Sequence, residues 1–136
     1  MRNETVGIVH GRRVIVMDSI SLIGAQDEGA IIVSGSHGGA ISGAFAAKHP
    51  PALVVFNDAG EGKNDAGVAS LAALERHGIA AVAVSHESAR IGDAMDAWNN
   101  GVVSHVNAPA AAAGLAAGLA LRDLLLEFRL EKEPQR

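Results

Sequence analysis

Residues 30–58 read AIIVSGSHGGAISGAFAAKHPPALVVFND, and the fold class turns on this stretch. Residues 30–34 form a continuous apolar run with no polar alternation, which marks a strand buried on both faces. A glycine-rich segment, 35–39, follows it. Residues 40–49 carry a short helical pattern that Pro50-Pro51 stops. A second apolar run, 53–56, then ends in Asn57-Asp58. Strand, helix and strand in this order imply a crossover connection and parallel pairing.

The same alternation continues toward the C-terminus. A polar loop, 59–64, leads to a helix expected from an Asp65 N-cap to His77, with Leu71 and Leu74 on one face and Gly78 closing it. Residues 79–84 read as a third buried strand and 89–99 as a helix bearing Met95 and Trp98. Gly101 ends that helix, 102–106 is a fourth strand, and a long helix is expected from 108 to about Glu131, with Pro109 in its first turn. The tail 132–136 reads as frayed. Toward the N-terminus, 5–9 and 13–17 are β-branched runs around His10-Gly11-Arg12, the pattern of a hairpin. The expectation is a single α/β domain, 1–136. Its mainly parallel sheet has four crossover strands, extended at one edge by the N-terminal β-hairpin.

Composition narrows the function. A chain of 136 residues with 49% apolar and 19% charged residues forms a core, which excludes intrinsic disorder. Eleven Lys and Arg against fifteen Asp and Glu leave a net charge of −4, a poor basis for nucleic-acid binding. Cysteine is absent, so disulfides, thiol catalysis and Cys-ligated metals are excluded. Met1-Arg2-Asn3-Glu4 leads straight into a strand-like run, so neither a signal peptide nor a membrane partner is expected, and a soluble cytoplasmic protein is the default. The 26 alanines and 16 glycines bury little area each, so the core is thin and a homo-oligomer is expected. The final helix has Leu115, Leu119, Leu121, Leu124, Leu125, Leu126 and Phe128 on more than one face, leaving a surplus for a partner.

In parallel α/β sheets ligands bind beyond the carboxyl ends of the strands. Those ends carry Ser36-His37, Asn57-Asp58, Ser85-His86 and Ser104-His105 with Asn107, and the dipeptide Ser-His recurs three times. The loop Gly35, Ser36, His37, Gly38 and Gly39 opens a helix, where free N–H groups suit a carboxylate, a phosphate or an oxyanion. His37, Asp58 and His86 are the candidate catalytic residues, since imidazoles near neutral pH suit proton transfer and a carboxylate can orient one or act as base. Asn57, Lys63, Ser85, Arg90 and Asp93 complete the candidate ligand-binding set: Arg90 can fork onto an anion, and Asp93 can orient an imidazole. Glu61 and His105 read more readily as a solvated loop residue and a strand histidine. His37, His86 and Asp58 together could supply a His/His/carboxylate set for a divalent metal, but no compact ligand spacing supports it and no cofactor is expected.

Three short segments resemble known motifs. Residues 54–58 with the following loop resemble the acidic motif of type I phosphoribosyltransferases, without its second acid or its Thr-Gly-x-Thr. Ser36-His37-Gly38-Gly39 resembles the active-histidine loop of mannose-type phosphotransferase IIA domains, where the histidine follows the first strand; here a hairpin precedes it. Ser-His-Gly also resembles the caspase-like histidine motif, whose partner cysteine is absent. Each spans under a third of the chain, and none assigns a family. The residues read as a small enzyme using acid/base chemistry of hydrolase, lyase or isomerase type on an anionic metabolite. The alternative is a non-catalytic ligand-binding or accessory subunit. Histidine phosphorylation and phosphoribosyl transfer are minor alternatives.

Overall fold

The computed structural model describes residues 1–130, so Glu131 and the 132–136 tail lie outside the described residues. Six strands form one sheet in simple sequence order: β1 (Asn3–Val9), β2 (Arg12–Met17), β3 (Ile31–His37), β4 (Leu53–Asn57), β5 (Ala80–Val84) and β6 (Val103–Val106). Strands β2 to β5 run parallel, while β1 and β6 pair antiparallel at the two edges. The expected hairpin is present. Its two-residue turn puts His10 at φ 50° and Gly11 at φ 80°, the left-handed pair that matches strand twist.

Every residue of β4 and β5 is buried, which explains their unbroken apolar sequences. Alternate residues serve opposite faces. Val33, Val55 and Val82 pack with Trp98 and Phe128, while Ile32, Val54 and Phe56 pack with Leu71 and Leu74. The second face is covered by α1 (Ala40–Lys48) and α2 (Ala69–Arg76), and the first by α3 (Ala94–Asn100) and the segment after β6. The result is a three-layer α/β arrangement with a mixed, mostly parallel sheet. No helix among the described residues is long and apolar enough to cross a membrane.

Five expectations are corrected. First, β6 is antiparallel to β5, not a fourth crossover strand. The chain leaves β5 through an irregular segment, 85–93, that reaches β3, where Gly92 N–H bonds Gly35 O. The helix α3 that brings it back has seven residues. It starts at the carboxyl end of the sheet, where Ala94 N–H bonds Asp18 Oδ1 just past β2. The chain leaves it at that same end, where Ser85 N–H bonds Val102 O and β6 starts back toward the beginning of β5. Second, the helix expected over 89–99 starts only at Ala94, because Asp93 caps it and Gly92 sits at φ 84°. Third, Asp65 is no N-cap. It lies at φ 58° in a turn, and α2 starts at Ala69. Fourth, the long final helix is two short ones, α4 (Ala108–Ala112) and α5 (Leu121–Leu125), separated by Gly114 at φ 100° and Gly118 at φ 99°. The break lets Leu115, Leu121, Leu124, Leu125 and Phe128 all turn inward, leaving Leu119 and Leu126 exposed. The single-helix surplus that suggested a partner chain is thus largely consumed within the chain.

Fifth, residues 35–37, expected to start the glycine loop, instead continue β3. Gly35 is required there by space: a Cβ would lie 2.7 Å from both Asp93 N and Gly92 C, and 2.8 Å from Asp18 O. Gly35→Ala is expected to lower stability by about 1–3 kcal/mol, the range for overpacking a tight contact. Urea unfolding midpoints of the two proteins check this, and an unchanged midpoint would show that the segment 85–93 yields freely.

Candidate functional site

Asp58 follows the last residue of β4, and its backbone N–H bonds Val84 O across the end of β5 at 2.8 Å. This places the side chain, only 7% exposed, at the carboxyl ends of β4 and β5. Oδ1 accepts from Gly60 N–H at 2.8 Å, from His86 N–H at 3.0 Å and faces His86 Nδ1 at 3.2 Å. Oδ2 accepts from Ser104 Oγ at 2.8 Å. Burial pushes the Asp58 carboxyl up, but the bonds from Gly60, Ser104 and His86 outweigh it, and the net effect holds it below its ordinary 3.8.

An ionised carboxylate only accepts, so His86 Nδ1 carries the hydrogen and Nε2 keeps its lone pair. The His86 side chain is 51% exposed and lines an open cleft of about 530 Å³ with Ala59, Glu87, Ser88, Arg90 and Asp96. Asp96 is held below its ordinary value, first by the Asn100 amide and then by Arg90 N–H.

The loop after Asp58 has an unusual backbone. Ala59, Gly60, Glu61, Gly62, Asn64 and Asp65 all lie between φ 53° and φ 70°. Left-handed geometry costs a non-glycine residue about 1–2 kcal/mol, so the loop needs strong restraint. Glu61 N–H bonds Asp58 O at 2.6 Å and Gly67 N–H bonds Glu61 O at 2.7 Å. Glu61 Oε2 meets His105 Nε2 at 2.6 Å. Gly67 closes the loop, since a Cβ there would stand 2.4 Å from Asp58 O.

Ser104 and His105 reach this site from β6, which runs antiparallel to β5. At the start of the strand they stand beside the end of β5, and Ser104 Oγ lies 2.9 Å from His105 Nδ1. The same reversal carries Asn107 to the opposite end. There it accepts from Ala81 and Ala110 N–H and donates to Leu71 and Ile79 carbonyls.

The sequence-derived candidates separate into three groups. His86 and Arg90 line the cleft, and Asp58 stands behind the His86 ring. His37 stands at the same end of the sheet, in register with Asn57, but does not line that cleft. Its Nδ1 accepts from Gly39 N–H at 3.0 Å, so its hydrogen is on Nε2, opposite to His86. The remaining polar candidates make scaffold contacts. Gly38 N–H bonds Asn57 O, and Ser36 Oγ accepts from Ile20 N–H. Asn57 ties Ala89 O to Ala59 N–H, Ser85 Oγ accepts from Glu87 N–H, and Asp93 caps α3. Lys63 is exposed, just before Asn64 and Asp65 in the left-handed loop. Ser104 and Glu61 are the residues sequence reading passed over. The one available signal for Ser104 is the third Ser-His dipeptide. Among the described residues no group of three His, Asp or Glu side chains is arranged to hold a metal ion.

Compared with protein-family models, curated proteins and solved structures, the chain finds no significant match.

Asp58 ties the loop, β5 and β6 together only as an anion. Its lowered folded-state value means that this stabilisation is complete above the unfolded value near 3.8 and is lost as pH falls through the folded value. Asp58→Asn is therefore expected to be less stable than wild type at pH 7, with the gap closing as pH drops below about 4. Urea midpoints across that range check the sign, and a gap independent of pH would show that Asp58 is not ionised in the fold.

Proposed function

We propose that the cleft is an acid/base site in which His86 takes a proton from a small anionic substrate, or from water, through Nε2. Asp58 holds the ring through Nδ1 and stabilises the imidazolium that forms. The observation that carries this reading is the buried, hydrogen-bonded Asp58 carboxylate behind a half-exposed imidazole. A carboxylate in that position fixes the tautomer with a basic Nε2 and offsets the charge gained on protonation. Arg90, on the same cleft, supplies the cation for an anionic substrate.

The nearby hydroxyls support direct proton transfer over a serine nucleophile. Ser104 donates to Asp58, and Ser88 donates to Ser85 O. Ser85 Oγ is engaged by Glu87 N–H. None of the three has a hydrogen bond to His86. This favours a lyase, an isomerase or a water-activating hydrolase. His37 lies outside the cleft, and this reading does not require it.

A thermal-shift panel of small carboxylates and phosphates, followed by NMR assay of any stabilising compound for conversion, tests the proposal. The expected result is an anion that raises Tm in wild type, raises it less in Arg90→Ala, and is converted by wild type. His86→Gln should bind it and convert it at least about 100-fold more slowly, the lower bound for losing a general base. Wild-type turnover by His86→Gln would overturn the assignment. Binding without conversion by wild type would favour the accessory-subunit reading.

A further inference from the structure

Ser104 Oγ has one hydrogen and three neighbours: Asp58 Oδ2 at 2.8 Å, His105 Nδ1 at 2.9 Å and Ala83 O at 3.3 Å. The ionised Asp58 cannot donate, so its close contact with Ser104 takes the hydroxyl hydrogen. His105 Nδ1 must then donate to Ser104. That leaves His105 Nε2 facing Glu61 Oε2 at 2.6 Å. A bare nitrogen and a bare carboxylate oxygen repel at that distance, whereas a charge-assisted hydrogen bond is naturally short. One more proton therefore lies between them.

We infer that Glu61, His105 and Ser104 form a directional hydrogen-bond chain, with a proton shared between His105 and Glu61, and that it orients Asp58 toward His86. These three are positioning residues, none of which needs to touch substrate. The proposal rests on His86 and Asp58 being the proton-transferring pair.

The chain has two consequences. Oδ2 of Asp58 is held by Ser104, so the carboxylate cannot rotate away from the His86 ring. Glu61 sits in the left-handed loop that also supplies Gly60 N–H to Oδ1, so the His105–Glu61 contact holds both sides of the carboxylate. The residues come from separate parts of the chain: Ser104 is 46 positions from Asp58, and His105 is 44 from Glu61.

Imidazole NMR of the ¹⁵N-labelled full chain at pH 7 tests this without a substrate. In wild type, His105 should show two protonated nitrogens, and His86 a visible Nδ1–H proton bonded to Asp58. Glu61→Gln, a change at a half-exposed side chain, should leave His105 with one protonated nitrogen. Ser104→Ala should lose the His86 Nδ1–H signal through solvent exchange, and Ser104→Thr, which keeps the hydroxyl, should restore it. A single protonated nitrogen on wild-type His105, or an unchanged His86 signal in Ser104→Ala, would overturn the chain. Absence of the His86 Nδ1–H signal in wild type would instead overturn the His86–Asp58 pair itself.

Discussion

A buried carboxylate at the end of a central strand must be hydrogen-bonded on every side or be neutral. Asp58 meets that requirement with donors from three elements: Gly60 in the following loop, His86 after β5 and Ser104 on β6. Each of those elements is held in place partly by the carboxylate it serves. The left-handed loop closes over the Asp58 carbonyl, segment 85–93 turns where His86 N–H finds Oδ1, and the edge strand docks its hydroxyl on Oδ2. Structure and chemistry share one group here, since the bonds that make burial tolerable also hold the carboxylate ionised and aimed at an imidazole.

The path through α3 sets the direction of β6. The connection starts and ends at the carboxyl end of the sheet, with Ala94 N–H on Asp18 and Ser85 N–H on Val102 O. β6 therefore begins beside the carboxyl end of β5. The polar dipeptide enters the site, while Asn107 serves as a cap and cross-link at the opposite end.

The three Ser-His pairs show how little a dipeptide says alone. His37 accepts a hydrogen bond on Nδ1 from Gly39, His86 donates from Nδ1 to Asp58, and His105 bridges Ser104 and Glu61. The residue type is constant, yet the proton sits differently in each because the partner differs. The accompanying serines diverge as well. Ser36 and Ser85 accept backbone N–H groups, and Ser104 donates to a carboxylate.

The sequence by itself determined the strands β3, β4 and β5, because a strand buried on both faces must be apolar at every position and that is visible locally. It also determined the N-terminal hairpin, and it placed Asp58 and His86 at strand ends, because polarity returns where burial stops. Only the tertiary structure decided the direction of β6, the division of the last helical segment at Gly114 and Gly118, and the recruitment of Ser104 and Glu61. These outcomes depend on where a connection re-enters the sheet, on space around particular glycines, and on contacts between residues more than forty positions apart. Local periodicity carries none of that, since it reports which side of an element is buried but not which distant group will face it.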